Sequence, residues 1–403
     1  MTGAAPLRVG IVAGESSGDQ LGAALIAALR ESVPDLECFG VAGPKMIAAG
    51  CEAWADSEEL AVMGLTEVVR HLPRLLRLRA SLTNRFLASP PDVFVGVDAP
   101  EFNLGLAKRL HARGLTTVQY VSPQVWAWRP GRVRNIGRAC DLVLCLLPFE
   151  TAFYSRHGVP AAFVGHPLAD QIPLEIDRAA ARAALGLEPS ASVVALLPGS
   201  RVGEVERLGA DFLQAAAWLA ERRPELEFIA PMATARVREA FQSKQAEVPA
   251  APKILLLEGQ ARQALAACDA AIVASGTATL ETLLSRRPMV VAYRFAALTA
   301  FLLRRLRLVN VTYFSQPNLL LGRPLVPELL QEQVTGAALG EALLGRLSDR
   351  EYLRELDAEF RKVHETLRGG AAARAAEAIL ALLRTRKAQG RALWVPHRGV
   401  AEQ

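Results

Sequence analysis

The sequence reads as an α/β protein of two Rossmann-like, doubly wound domains, and three observations predict it. Apolar strand-like runs alternate with helix-like segments along the chain, the pattern of parallel βαβ units. The alternation lapses at 173–177 and then begins again, which places a linker near 166–178. The length, 403 residues, suits two domains of ordinary size.

In the first half, strands are expected at 9–13, 37–40, 93–97, 117–121, 142–145 and 162–164, with helices between them such as 21–31 and 103–113. A helix at 178–185 opens the second half, whose strands are expected at 193–197, 227–230, 254–258, 270–273 and 289–292. The tail, 349–387, is rich in Ala, Leu, Glu and Arg and reads as helical. The resulting division is a first domain over 1–170, a second over 171–365 and a tail over 366–403. Two such domains would face a central cleft, with ligands at the carboxyl ends of the strands.

Composition narrows the class. Hydrophobic residues make up 51% and charged residues 22%, which fits a packed globular chain and not a disordered one. Five scattered cysteines contain no Cys-x-x-Cys pair, so a disulfide framework and a zinc site are both unsupported and reduced thiols are expected. No cluster suggests a metal or another cofactor. The first strand begins almost at once, and no uninterrupted apolar run reaches the ~18 residues of a membrane span; a cytoplasmic protein is the expectation.

Two loops carry the strongest chemical signal. Leu196-Leu197-Pro198-Gly199-Ser200-Arg201 and Ala274-Ser275-Gly276-Thr277-Ala278-Thr279-Leu280-Glu281 each take a buried-type strand through small residues into a helix. Backbone N–H groups and a positive helix end then face an anion. Arg201 adds a cationic fork suited to phosphate oxygens, and Glu281 is placed to accept from ribose hydroxyls. This half of the chain looks built for a nucleotide diphosphate.

In the first half, Ala13-Gly14-Glu15-Ser16-Ser17-Gly18-Asp19 is neither a dinucleotide fingerprint nor a P-loop. Its small residues admit a sugar or another backbone closely, or simply make a tight turn with Asp19 near a helix start. The same residues satisfy Gly-x-Ser-x-Gly, the hydrolase nucleophile elbow, but that elbow belongs later in a sheet than after its first strand. Asp98 ends a buried strand, ahead of Pro100; it reads as a general base for an acceptor hydroxyl or as a helix cap. Glu15 is the second candidate base. Ser122-Pro123-Gln124-Val125-Trp126-Ala127-Trp128 reads as a sugar-binding wall, with core packing of one Trp as the alternative, and the arginines at 129, 132, 134 and 138 follow it. His166, at the end of the last strand of this half, either touches substrate or holds the hinge.

Segments 65–87 and 295–314 interleave Leu and Phe with Arg, as basic amphipathic surfaces for anionic membranes do. Pro73 is expected to break or kink the first. No nucleic-acid module accompanies the charge.

Together these motifs resemble the lipid-A-disaccharide synthase family of GT-B glycosyltransferases along nearly the whole chain. They include Gly14 to Asp19, Val62-Met63-Gly64, Asp98 to Asn103, Ser122 to Trp128, Gly165-His166-Pro167, Leu197 to Arg201, Ser275 to Glu281 and Pro317-Asn318-Leu319. The resemblance implies inverting transfer of 2,3-diacylglucosamine from UDP to 2,3-diacylglucosamine 1-phosphate (lipid X), giving the β-1,6-linked disaccharide 1-phosphate and UDP. It implies Asp98 or Glu15 as base. Substrate or nucleotide contacts would come from Ser16, Ser17, Gly18, Gln124, Trp126, His166, Gly199, Ser200, Arg201, Ser275, Gly276, Thr277, Ala278, Thr279, Glu281 and Asn318. No metal or other cofactor is implied, nor any nucleic-acid partner. A last helix would cross back to the first domain, the enzyme would sit peripherally on the cytoplasmic face of the inner membrane, and a homodimer stays open.

Overall fold

The computed structural model describes residues 5–60, 65–128, 130–295 and 312–389, with 65–71, 128 and 130 described in backbone only. The chain forms two units. The first comprises 1–167 together with 368–403, the second 168–367.

The first unit holds seven parallel strands in the order β3-β2-β1-β4-β5-β6-β7. They are β1 (Leu7–Ala13), β2 (Leu36–Ala42), β3 (Cys51–Asp56), β4 (Val93–Val97), β5 (Thr117–Tyr120), β6 (Leu142–Cys145) and β7 (Ala161–Phe163). β4 and β5 are buried from end to end and β1 from Val9 onward, as a parallel sheet covered on both faces requires. Helices α1 (Glu15–Ser32), α2 (Pro44–Ala48), α3 (Leu65–Ala88) and α4 (Pro100–His111) join the first five strands.

The second unit holds six parallel strands ordered β10-β9-β8-β11-β12-β13. These are β8 (Ser192–Leu197), β9 (Leu226–Met232), β10 (Ile254–Glu258), β11 (Ala270–Ala274), β12 (Met289–Tyr293) and β13 (Glu328–Leu330). Strand order reverses between β1 and β4 in one sheet and between β8 and β11 in the other. A doubly wound sheet opens its ligand crevice at such a reversal, because the two flanking connections leave on opposite faces.

The structure adds two strands to that reading and gives the course of the helices at Pro73 and in the tail. β3 and β13 are absent from the apolar pattern. β3 is a sheet edge with largely uncovered side chains, and β13 is three half-buried residues. α3 runs through Pro73 without ending there. The tail is two helices, Arg350–Leu367 and Ala371–Ala388, parted where Gly369 and Gly370 take φ of 148° and 71°, angles that only glycine adopts freely.

The two tail helices belong to different units. The last one packs on α1: Ala375, Ala376, Ile379 and Leu383 share a core with Leu25, Ile26 and Leu29. Near its end Arg386 lies 2.7 Å from Asp141, which also bonds the Thr117 N–H and pairs with His111 at 3.4 Å. The Asp141 carboxylate raises the His111 pKa.

Candidate functional site

In the first unit, backbone strain gathers at the carboxyl ends of β1, β4 and β5, three adjacent strands. Glu15, Asp98, Ala99 and Val121 all take left-handed conformations, with φ of 58°, 51°, 39° and 77°. Such angles cost non-glycine residues about 1–2 kcal/mol each and persist only where surrounding bonds impose them.

Here the bonds are visible. The Asn103 amide donates to the carbonyls of Val12, Val97 and Asp98 at 3.2, 3.2 and 2.9 Å. Gln119 donates to the carbonyls of Asp98 and Val121 at 3.1 and 3.3 Å. Both side chains are fully buried. Gly96 makes room for them: a Cβ there would lie 2.8 Å from the Asn103 Cβ.

Asp98 is thereby held half-buried at the sheet's reversal. Burial raises its pKa, the nearby Glu15 carboxylate raises it further, and a hydrogen bond from the Ala99 N–H opposes both. The helix-cap alternative does not describe it, since the residue capping α4 is Ala99. Glu15, Ser16 and Ser17 are exposed on the first turn of α1. In a nucleophile elbow the serine itself is strained; here the left-handed residue is Glu15. Gly18 is buried. Asp19 does not serve its own helix: it accepts the N–H groups of Gly43, Lys45 and Met46 at 3.0, 2.9 and 3.0 Å and so caps α2.

The wall after β5 divides. Gln124 is exposed. Trp126 is half-buried, edge-on to Phe149 at 4.9 Å, and its indole N–H donates to Glu150 at 3.1 Å. Arg132 is held by Glu101 through two bonds of 2.7 and 2.9 Å. His166 is half-buried behind Gly165, whose φ is 89°. The Trp128 side chain, Val62-Met63-Gly64, Arg129 and most of 295–314 lie outside the described residues.

In the second unit, Gly199 (φ 133°) turns β8 into the helix Val202–Arg222. Ser200 and Arg201 are exposed. Glu204 folds back beneath the loop, accepting the Ser200 and Arg201 N–H groups at 2.9 and 3.3 Å, with the Arg201 guanidinium 3.6 Å away. A Cβ on Gly199 would sit 2.4 Å from Glu204, so the loop closes only around glycine.

Across the reversal, β11 ends at Ala274, Ser275 follows, and exposed Gly276 and Thr277 open the helix Thr277–Leu284, with Ala278 half-buried beside them. Ser275 donates its hydroxyl to the Phe314 carbonyl at 2.7 Å. Thr279 is fully buried, its hydroxyl donating to the Gly276 carbonyl at 2.8 Å and accepting the Gln316 N–H at 3.2 Å. Glu281 is raised in pKa by burial, partly offset by Arg262.

Two expected contact residues thus turn inward. Thr279 braces its loop. Asn318 donates to the Val326 carbonyl (2.9 Å) and Glu328 (2.8 Å) and accepts the Val326 N–H (2.9 Å), which uses up the amide. Glu328 gathers this loop, also accepting the N–H groups of Phe314 and Ser315 and the Ser315 hydroxyl. Sequence reasoning missed Asn103, Gln119, Glu150, Glu204 and Glu328 as organisers. For Glu204 and Glu150 a signal existed, a Glu three residues past a helix start; for Glu328 there was none.

The sequence profile described as lipid-A-disaccharide synthetase matches residues 9–382. The lipid-A-disaccharide synthase of Pectobacterium carotovorum is 51% identical over 381 residues, covering 94% of this chain and 99% of that protein. Among solved structures, UDP-GlcNAc 2-epimerase from Neisseria meningitidis, bound to UDP-GlcNAc, aligns with a TM-score of 0.61 at 12% identity, over 94% of this chain and 100% of the other. A calicheamicin glycosyltransferase aligns with a TM-score of 0.57 at 16% identity, over 94% and 99%. These two likenesses show a shared two-domain fold of the GT-B type.

Proposed function

This chain belongs to the lipid-A-disaccharide synthase family, and from that premise we propose that it transfers 2,3-diacylglucosamine from UDP to the 6-hydroxyl of 2,3-diacylglucosamine 1-phosphate. The product is the β-1,6-linked lipid A disaccharide 1-phosphate, with UDP released.

Inversion at the anomeric carbon takes one displacement. The acceptor oxygen attacks, the bond to the diphosphate breaks, and the acceptor proton leaves to a base. Asp98 is that base. Its support is the strained, half-buried carboxylate at the β1/β4 reversal, with a pKa raised toward the working range. Glu15 lies close enough to be felt electrostatically and is the alternative.

In the second unit, Arg201, the Gly199–Arg201 loop and the Ser275–Thr277 loop stabilise charge on the departing diphosphate. Glu281 accepts from the ribose. Thr279 and Asn318 shape this half-site from behind. In the first unit, Gln124 and Trp126 border the acceptor.

Both substrates are acylated, so docking at an anionic surface belongs to the reading. α3 offers it: Leu72 and Leu76 are each 44% exposed, with Arg74 and Arg77 exposed beside them. No helix among the described residues is long and apolar enough to cross a membrane. On the strength of that basic, leucine-bearing surface and the acylated substrates, we place the enzyme peripherally at the cytoplasmic face of the inner membrane.

The test is UDP release from UDP-2,3-diacylglucosamine with and without lipid X. Acceptor-dependent release with a disaccharide product is expected. Release without acceptor, or none, would overturn the proposal.

A further inference from the structure

Beneath the loop that follows β5 lies a buried carboxylate to which the transfer reaction assigns nothing. Glu150, in the helix Pro148–Ser155, is 3% exposed. One oxygen accepts the Trp126 indole N–H at 3.1 Å and the other the Leu147 N–H at 3.0 Å. One turn further along the same helix, the Tyr154 side chain is buried as well. Its hydroxyl is 3.1 Å from that of Ser122.

This one helix therefore grips both ends of the segment from Ser122 to Trp126, Tyr154 at the first and Glu150 at the second. Gln124, between those ends, is the exposed residue. Val121, just before them, is in the left-handed conformation, so the segment leaves β5 at an angle that needs outside support.

We propose that Glu150 is the positioning residue of the acceptor-binding wall, its carboxylate holding Trp126 while Tyr154 of the same helix holds Ser122, so that the loop between them meets the acceptor sugar. The assignment rests on reading this wall as the acceptor's side of the site.

The chemistry of the partners sharpens it. The Trp126 and Leu147 groups can only donate, one to each oxygen, so a charged carboxylate satisfies both at once. A protonated carboxyl loses its charge and is the weaker acceptor, above all at the oxygen that carries the hydrogen. Burial pushes Glu150 up to about 7, and the titratable groups facing it, the Cys145 thiol of β6 and the Tyr154 phenol on its own helix, are themselves held neutral by burial. The grip should weaken as pH falls through that value.

The experiment compares wild type with Glu150→Gln, which keeps the shape and adds donors where donors already point. Initial rates are taken against lipid X at saturating UDP-sugar, then against UDP-sugar at saturating lipid X, at several pH values between 6 and 8. The KM for lipid X should rise about tenfold in the variant, while the KM for UDP-sugar stays within twofold. In wild type the lipid X KM should climb below neutrality; in the variant it should be flat.

An unchanged lipid X KM, or an equal rise in both KM values, would overturn the assignment, the second because it marks general loosening of the fold. Should Glu150→Gln not fold, Trp126→Phe keeps a ring and removes the indole N–H. It should raise the lipid X KM alone, and no rise would count against the proposal. A wild type that shows no acceptor-dependent transfer overturns the functional reading itself, a failure seen before any variant is compared.

Discussion

Replacing Asp98 by Asn should separate chemistry from folding, because the two respond in opposite directions. Removing a general base typically costs 10²- to 10⁴-fold in rate, about 3–5.5 kcal/mol of transition-state stabilisation. The fold has no such dependence. The Asp98 backbone sits at φ 51°, a conformation asparagine tolerates better than most residues. The Asn103 and Gln119 bonds go to its carbonyl and not to its carboxylate.

Burial also raises the Asp98 pKa, so the charged form is the less favoured one in the folded state. For an acid shifted upward, the fold loses stability as pH rises through the folded value. An amide removes that loss. The variant should therefore unfold at an equal or slightly higher urea concentration at pH 8, while its kcat falls at least 100-fold. UDP affinity by calorimetry should be unchanged, since the nucleotide loops belong to the other unit. In wild type, kcat/KM should fall as pH drops through a pKa above the ordinary carboxylate range, and the variant should lack that limb. Near wild-type turnover in Asp98→Asn would refute the reasoning and move the base to Glu15. A fall in stability as large as the fall in rate would refute it differently, by showing that the carboxylate holds the loop.

Other outcomes follow from the supports. Asn103→Ala strips a buried donor from three carbonyls and should destabilise the protein by about 2–4 kcal/mol in urea titration, with lower kcat at temperatures where it remains folded. The Asp141 bond raises the His111 pKa, so its stabilisation is complete below the unfolded value near 6.5 and declines as pH rises through the folded value. The urea midpoint of wild type should accordingly slip between pH 6 and pH 8 by more than that of His111→Gln.

The doubly wound units were legible because parallel strands buried on both faces appear as unbroken apolar runs. β4, β6 and β11 fall where such runs lie. β3 was not legible, since an edge strand with exposed faces has no such run, and α3 continues through Pro73 because tertiary packing outweighs one missing hydrogen bond. At the site, the ends of β1, β4, β8 and β11 could be read as loops aimed at ligand. Which side chains turn inward could not. Thr279, Asn318 and Asp19 have the same polar chemistry as ligand contacts, and only their partners at Gln316, Val326 and Gly43 reveal them as braces. Glu150 is hidden for the same reason: its bond to Trp126 spans 24 residues.

The return of the final helix to α1 sets a timetable for biosynthesis. Leu25, Ile26 and Leu29 emerge early from the ribosome, yet the surface that covers them, Ala375 to Leu383, is made after the whole of the second unit. At about 5–20 residues per second, synthesis of the second unit alone takes roughly 10–40 s. During it, the apolar face of α1 that the last helix covers stays bare, a state open to chaperones and to aggregation. A nonsense mutation just before Ala371 would spare every residue of both ligand loops and still leave the nascent chain in that bare state permanently.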